Sequence, residues 1–174
     1  MKRLRVGLVG GGIVAKGHLQ AIDGSPVWEL SGIADIDEAR LQEVQGRYPV
    51  AHAYGNHREM LDSVELDAVV VATHAESHCE ITLDALSKGV HVLCEKPMAS
   101  SVDECRRMAD AAEANGLLLA INFNTRSSPQ YRKIKQLIDE GAVGPIRVVR
   151  IVYNWSAHQW QPPERLEHFM ANGG

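Results

Sequence analysis

Short, nearly unbroken apolar runs alternate along this chain with segments whose apolar residues recur at helical spacing. The runs are Arg5–Val9, Trp28–Ala34, Ala68–Ala72, His91–Cys94 and Leu117–Phe123. Apolar residues at successive positions over so short a length suit strands of a parallel sheet covered on both faces. Between them lie helical segments. Asp37–Gly46 carries Ile36 and Leu41 as its apolar positions and ends at a glycine; His57–Ser63 is a shorter one. Glu76–Lys88 sets His78, Ile81 and Ala85 on one face, with Gly89 just past its end. Val102–Asn115 repeats that pattern through Val102, Cys105, Ala109 and Ala112. It opens on Ser101-x-x-Glu104, a capping box in which each side chain satisfies a free backbone donor. Tyr131–Glu140 follows Ser128-Pro129, a cap with proline at the first helical position, and stops at Gly141. Strand and helix alternating in this way predict a doubly wound α/β sheet.

The last stretch departs from that plan. Ile146–Trp155 is rich in β-formers after a Gly144-Pro145 turn, and both of its alternating faces are largely apolar. Such a strand expects a covering layer on each side, and Ser156–Gly174, with its Pro162-Pro163, is too little to supply them. The expected organisation is a first domain over residues 1–124, followed over 125–174 by a linking helix and the first strand of an incomplete α/β second domain.

Candidate chemistry begins where the first apolar run meets glycines, at Val6-Gly-Leu-Val-Gly-Gly-Gly12. Gly10-x-Gly12-x-x-Ala15 fits the dinucleotide fingerprint of a Rossmann βαβ unit. The first glycine permits the tight turn, the second lets a pyrophosphate approach the backbone, and a small third residue lets helix pack on strand. Ile13 and Val14 complete the loop, and the following helix aims its free N–H groups at an anion. Asp35 closes the second run about 23 residues beyond Gly12, where an acid accepts from ribose hydroxyls. A glycine-rich turn with Asp35 as a helix cap is the plainer alternative. Ile36 follows Asp35, not a Ser, Thr or Arg that would welcome a 2′-phosphate, so NAD is favoured over NADP, although Arg40 is within reach.

Glu95-Lys96-Pro97 directly follows the His91–Cys94 run, at the carboxyl edge where ligands of doubly wound sheets bind. A lysine there can pass a proton to or from a substrate hydroxyl, and burial can pull its pKa toward the working pH. A solvated Glu–Lys pair capping the strand fits the spacing as well.

Bulk properties narrow the field. The 174 residues carry a formal net charge of −4, with no basic tract and no aromatic-plus-arginine platform, which argues against nucleic acid and anionic membrane. No apolar run approaches the ~18 residues of a membrane span, and the N-terminus lacks a signal-peptide core. Cys79, Cys94 and Cys105 have no CxxC spacing, so neither a disulfide framework nor a zinc site is indicated. His74 and His78 share i, i+4 spacing without an accompanying acidic ligand, and no metal site is expected. The reading is of a cytoplasmic chain.

The glycine fingerprint, Asp35, Leu66-Asp-Ala-Val-Val-Val-Ala-Thr73 with His78, and Gly89-Val-His-Val-Leu-Cys-Glu-Lys-Pro97 together resemble the Gfo/Idh/MocA oxidoreductases. Phe123-x-x-Arg126 and Asp139-Glu-Gly-Ala-Val-Gly-Pro-Ile-Arg147 extend the likeness from Val6 to about Val152. The resemblance implies a Rossmann domain binding NAD or NADP, then an α/β domain with a large open sheet. It also implies hydride transfer between nicotinamide and a sugar, inositol or related polyol. By position, Lys96 corresponds to the family's catalytic lysine, Glu95 orients the cofactor, and Pro97 fixes the turn through a cis Lys–Pro bond. Thr73, His78 and Asn122 match positions lining the dinucleotide; the alternatives are a strand-end hydroxyl cap for Thr73 and a packed histidine for His78. Thr73-His74 stands where many members have Thr-Pro, and Ser127 where an aromatic is common. The family's Gly-Gly-x-x-x-Asp-x-Gly-x-His stretch would begin where this chain stops, at Asn172-Gly173-Gly174, and His158 and His168 sit in no matching motif. The expectation is a chain with little or no turnover alone, from a parent that is a homo-oligomer through the absent domain. A nucleotide-binding sensor without catalysis, or a module pairing through the Ile146–Trp155 edge, are the competing readings; Trp155 and Trp160, flanking His158, are candidates to line a substrate cleft or a subunit contact.

Overall fold

The computed structural model describes residues 2–152. In chain order the first part comprises β1 (Leu4–Val9), α1 (Ala15–Asp23), β2 (Trp28–Ala34), α2 (Glu38–Gln45), β3 (Ala53–Tyr54), α3 (His57–Ser63), β4 (Ala68–Val71), α4 (Ala75–Ser87), β5 (His91–Cys94), α5 (Val102–Ala114) and β6 (Leu119–Ile121). A 3-10 turn, Asn124–Ser127, and α6 (Pro129–Asp139) follow. Two compact units divide the chain, Met1–Ser127 and Ser128–Gly174.

The six strands of the first unit form one sheet in the order β3-β2-β1-β4-β5-β6, every neighbouring pair parallel. This is the doubly wound order, in which the direction of winding reverses between β1 and β4 and opens a crevice at their carboxyl ends. Strand alternation sends successive side chains to opposite faces, and each face has its own core. Val6, Leu8, Ile33 and Val70 pack with Ala15, Leu19 and Ile22 of α1 and with Leu41 and Val44 of α2. On the other face Val9, Val69, Val71 and Val92 pack with Met60 of α3, Ile81 and Ala85 of α4, and Met108 and Ala112 of α5.

Several local expectations are met by their own chemistry. Gly46 ends α2 as expected, while Asp37, expected as its first residue, is instead its cap and accepts from Ala39 N at 3.0 Å. Ser101 caps α5 through Glu104 N, but the return bond of the capping box goes to Ser100 N, one residue earlier than the motif requires. Ser128 accepts from Tyr131 N at the start of α6.

Other expectations shift. Ile36 is 96% exposed in the loop before α2, because Asp37 starts the helix after it and Leu41 and Val44 alone turn inward. In α5 the buried stripe is Met108 and Ala112 beside a half-buried Cys105; Val102 and Ala109 face out, a rotation fixed by where the helix meets α4. Strand pairing covers Leu119–Ile121 rather than Leu117–Phe123, since Leu118 N donates to His91 Nδ1 and Phe123 N turns back to Ile121 O. The two-residue β3 has too few positions to show a period.

In the second unit, α6 is amphipathic, with Tyr131, Ile134 and Ile138 on one stripe. Residues 146–152 form no strand, and Val148, Val149, Ile151 and Val152 are exposed. A strand needs an adjacent edge for its backbone groups, and the described residues of this unit contain no other strand. Residues 153–155 of that expected strand, with Trp155, His158, Trp160 and His168, lie outside the described residues.

Candidate functional site

The predicted site residues of the first unit gather at the carboxyl ends of its strands. Gly10 leaves β1 with φ +93°, and its N–H donates to Ala34 O at 2.8 Å. A Cβ there would lie 2.7 Å from Ala72 O, so the turn passes between the ends of β2 and β4 with room only for glycine. Gly12 is different, since a Cβ on it would meet nothing within 4 Å. Ile13 and Val14 are exposed, and Val14, at the N-cap of α1, makes no side-chain cap. With no acidic residue in its first turn either, α1 presents free N–H groups and the positive end of its dipole to the crevice. Ala15 is fully buried, the small contact the fingerprint calls for.

Asp35 is buried at the end of β2, and each carboxylate oxygen already holds a backbone donor. Oδ2 accepts from Gly11 N at 2.6 Å and Oδ1 from Asp37 N at 2.8 Å. It therefore ties the glycine turn to the entry of α2, whose cap is Asp37. Carboxylate oxygens keep further lone pairs for a diol. Arg40 leans over this corner, with Nη1 3.7 Å from Asp35 Oδ2 and Nε 3.3 Å from Asp37 Oδ2.

Thr73 follows β4 and accepts from Ser77 Oγ at 2.8 Å. His78, only 1% exposed, spans two turns: Nδ1 is 2.9 Å from Pro97 O and Nε2 3.1 Å from Thr73 O. Its ring nitrogens thus address backbone carbonyls, and His78 shapes the edge by holding the Thr73 turn to the Lys96–Pro97 turn.

Glu95, at the end of β5, is 7% exposed and does not pair with the Lys96 side chain. The solvated Glu–Lys pair is therefore not what forms. Glu95 Oε1 accepts from Asn122 Nδ2 at 2.6 Å and lies 2.9 Å from His18 Nε2, while Oε2 accepts from Lys96 N at 3.1 Å. Burial alone would push the Glu95 carboxyl up. The hydrogen bonds from Asn122, His18 and the Lys96 amide outweigh it and hold the group below the usual carboxylate range. Lys96 and Pro97 are exposed and joined by a cis peptide bond, so this unit supplies none of the burial expected around the lysine. Beside them, burial pushes the Cys94 thiol up to about 12, which removes it as a nucleophile.

Sequence reasoning passed over His18. It stands three residues after Ala15, hence on the same face of α1 as that buried alanine. A polar side chain on the sheet-facing side of the glycine-loop helix is the signal that was there to be found.

A family profile described as oxidoreductase family, NAD-binding Rossmann fold, matches residues 4–123. The chain belongs to the Gfo/Idh/MocA family. Levoglucosan dehydrogenase of Pseudarthrobacter phenanthrenivorans is 31% identical over 185 residues, covering 100% of this chain and 47% of that protein. Myo-inositol 2-dehydrogenase of Thermotoga maritima is 27% identical, covering 98% of this chain and 50% of that protein. The structure of scyllo-inositol dehydrogenase from Lactobacillus casei with bound NAD(H) and scyllo-inositol superposes with a TM-score of 0.79 at 25% identity, over 82% of this chain and 43% of that one. The chain thus spans about half the length of the curated relatives it matches. Among the described residues no helix is long and apolar enough to cross a membrane.

Proposed function

We propose that this chain is the cofactor-binding half of an NAD-dependent dehydrogenase acting on the hydroxyl-bearing carbon of a sugar, inositol or related polyol. One observation carries the reading. The uncapped glycine turn, the buried Asp35 and the exposed Lys96 meet at one edge of a 3-2-1-4-5-6 sheet, on the two sides of its switch point. The residues present fit a dinucleotide, with open space before Gly12 and an uncapped helix end beside it. NAD, when bound, supplies the hydride acceptor or donor.

The chain's own residues have separate tasks. Backbone N–H groups of Gly12, Ile13 and Val14 receive the pyrophosphate, and Gly10 gives the turn that presents them. Asp35 accepts from the adenosine ribose hydroxyls and repels a 2′-phosphate, which favours NAD over NADP; Arg40, held by Asp35 and Asp37, is engaged away from that phosphate. Thr73 and Asn122 flank the dinucleotide on the β4 and β6 sides, with His78 supporting the turn beneath. Glu95 and Pro97 set the chain direction at Lys96, whose Nζ takes the proton from the substrate hydroxyl in oxidation and returns it in reduction. Residues 125–174 open the substrate domain, through which the parent forms a homo-oligomer in the cytoplasm. Its partner is a small polyol or sugar.

The test is calorimetric titration of the chain with NADH and NADPH, followed by an assay for NAD reduction with inositols and sugars. NADH should bind more tightly than NADPH, with little or no turnover by the chain alone. Failure of both nucleotides to bind would remove the reading. Polyol-dependent turnover that survives Lys96→Ala would remove the lysine's role.

A further inference from the structure

Glu95 is a buried carboxylate held from three directions. Its partners come from three different elements: His18 from α1, Asn122 from just past β6, and the Lys96 amide from the turn after β5. The His18 and Glu95 side chains are 14% and 9% exposed, so their 2.9 Å contact is shielded from bulk water. A buried charge has to be satisfied by specific donors or it will reorient or neutralise. Removing the His18 donor leaves Oε1 with Asn122 alone, and an under-satisfied buried carboxylate that reorients carries with it the opposite oxygen, which holds the Lys96 amide.

Resting on the reading of Lys96 and the glycine turn above, we infer that His18 is a positioning residue, acting through Glu95 to set the Lys96 turn against the helix that receives the cofactor phosphates. The connection is short. α1 carries the glycine loop at its start and His18 one turn later, while Glu95 Oε2 holds the amide of Lys96 itself. One side-chain pair thus joins the cofactor-loop helix to the Lys96 turn. Asn122 closes the arrangement from the β6 side, donating to the same Oε1 at 2.6 Å.

The experiment uses the 174-residue chain with His18→Leu, His18→Gln, Glu95→Gln and the His18→Leu/Glu95→Gln double variant. Two quantities are read: amide hydrogen exchange and NADH affinity. A lost hydrogen bond to a buried carboxylate should speed Lys96 amide exchange about tenfold and weaken NADH about tenfold in His18→Leu. In His18→Gln, whose amide N–H replaces the ring donor, both should return to within about threefold. The double variant should bind NADH no more weakly than Glu95→Gln, because His18 acts through that carboxylate. A general packing role would instead give losses that multiply, with no rescue by glutamine.

Wild-type exchange and affinity in His18→Leu, or multiplying losses in the double variant, overturn the inference. Protection of β1 and β4 amides reports whether a variant is folded. If His18→Leu loses it, His18→Asn, polar but too short to reach Glu95, takes its place with the same outcomes required. If the wild-type chain binds no NADH, the functional reading falls, and Lys96 amide exchange still decides the role of His18.

Discussion

Alanine at Gly10 and alanine at Gly12 should do opposite things, although the two glycines are two residues apart in one loop. Gly10 has φ +93°, and its added Cβ would sit 2.7 Å from the Ala72 carbonyl oxygen and 2.8 Å from its carbon. A left-handed backbone costs a non-glycine residue about 1–2 kcal/mol. Forcing a methyl against backbone that cannot rotate away adds about 1–3 kcal/mol. Gly10→Ala should therefore cost about 3 kcal/mol, a large share of the roughly 5–15 kcal/mol that holds an ordinary domain together. With a urea slope of about 2 kcal/mol per molar, the unfolding midpoint falls by about 1.5 M. Gly12 has no positive φ and open space in front of it. Gly12→Ala should leave the midpoint unchanged or raise stability by up to about 1 kcal/mol, because alanine restricts the unfolded chain. On the proposed assignment its methyl occupies the space through which a pyrophosphate reaches the backbone, so NADH affinity should fall at least about tenfold. Urea denaturation followed by far-ultraviolet circular dichroism gives the first quantity and calorimetric titration the second. A Gly10→Ala chain as stable as wild type would refute the steric argument, and a Gly12→Ala chain that binds NADH normally would refute the assignment of the phosphate site.

At the opposite edge of the sheet, Arg5 donates to Asp67 from its side chain and its backbone and holds that carboxyl at about 2. A depressed carboxylate contributes stability above the unfolded pKa of about 4 and loses it as pH falls toward 2. Asp67→Asn should lower the urea midpoint at pH 7 and flatten its decline between pH 4 and 2, with NADH affinity unchanged. An equally steep acid limb in the variant would refute this. Burial raises the thiol pKa of both Cys79 and Cys94, while Cys105 is half-buried. A thiol reagent at pH 8 should therefore modify Cys105 first in the native chain and all three only in denaturant; simultaneous reaction would contradict the packing. Asp35→Ser should narrow the preference for NADH over NADPH, and Arg40→Ala in that background should restore part of it, because the released guanidinium is what would meet a 2′-phosphate. Unchanged affinity ratios in the titration would remove both residues from cofactor choice.

What this sequence determined alone is what local physics writes into neighbouring residues. Apolar runs became strands, Ser101 and Ser128 became caps, and Gly89 and Gly141 past helix ends took positive φ. The fingerprint and the spacing to Asp35 located the crevice because a turn, a helix start and a strand end are each set by a few consecutive side chains. Rotation of α5 was not legible, since alanines at several positions satisfy more than one stripe and contact with α4 selects among them. The strand expected over Ile146–Trp155, of which the described residues 146–152 form none, could not follow from its own composition, because strands exist only against another edge. Tertiary structure alone decided the surroundings of Glu95. His18 is 77 residues away in sequence and Asn122 27, and no periodicity records which polar side chains meet across a sheet edge. Apolar burial is nearly non-directional and leaves a pattern along the chain. Hydrogen bonds among buried polar groups are directional, and only the finished packing of α1, β5 and β6 brings their atoms within reach.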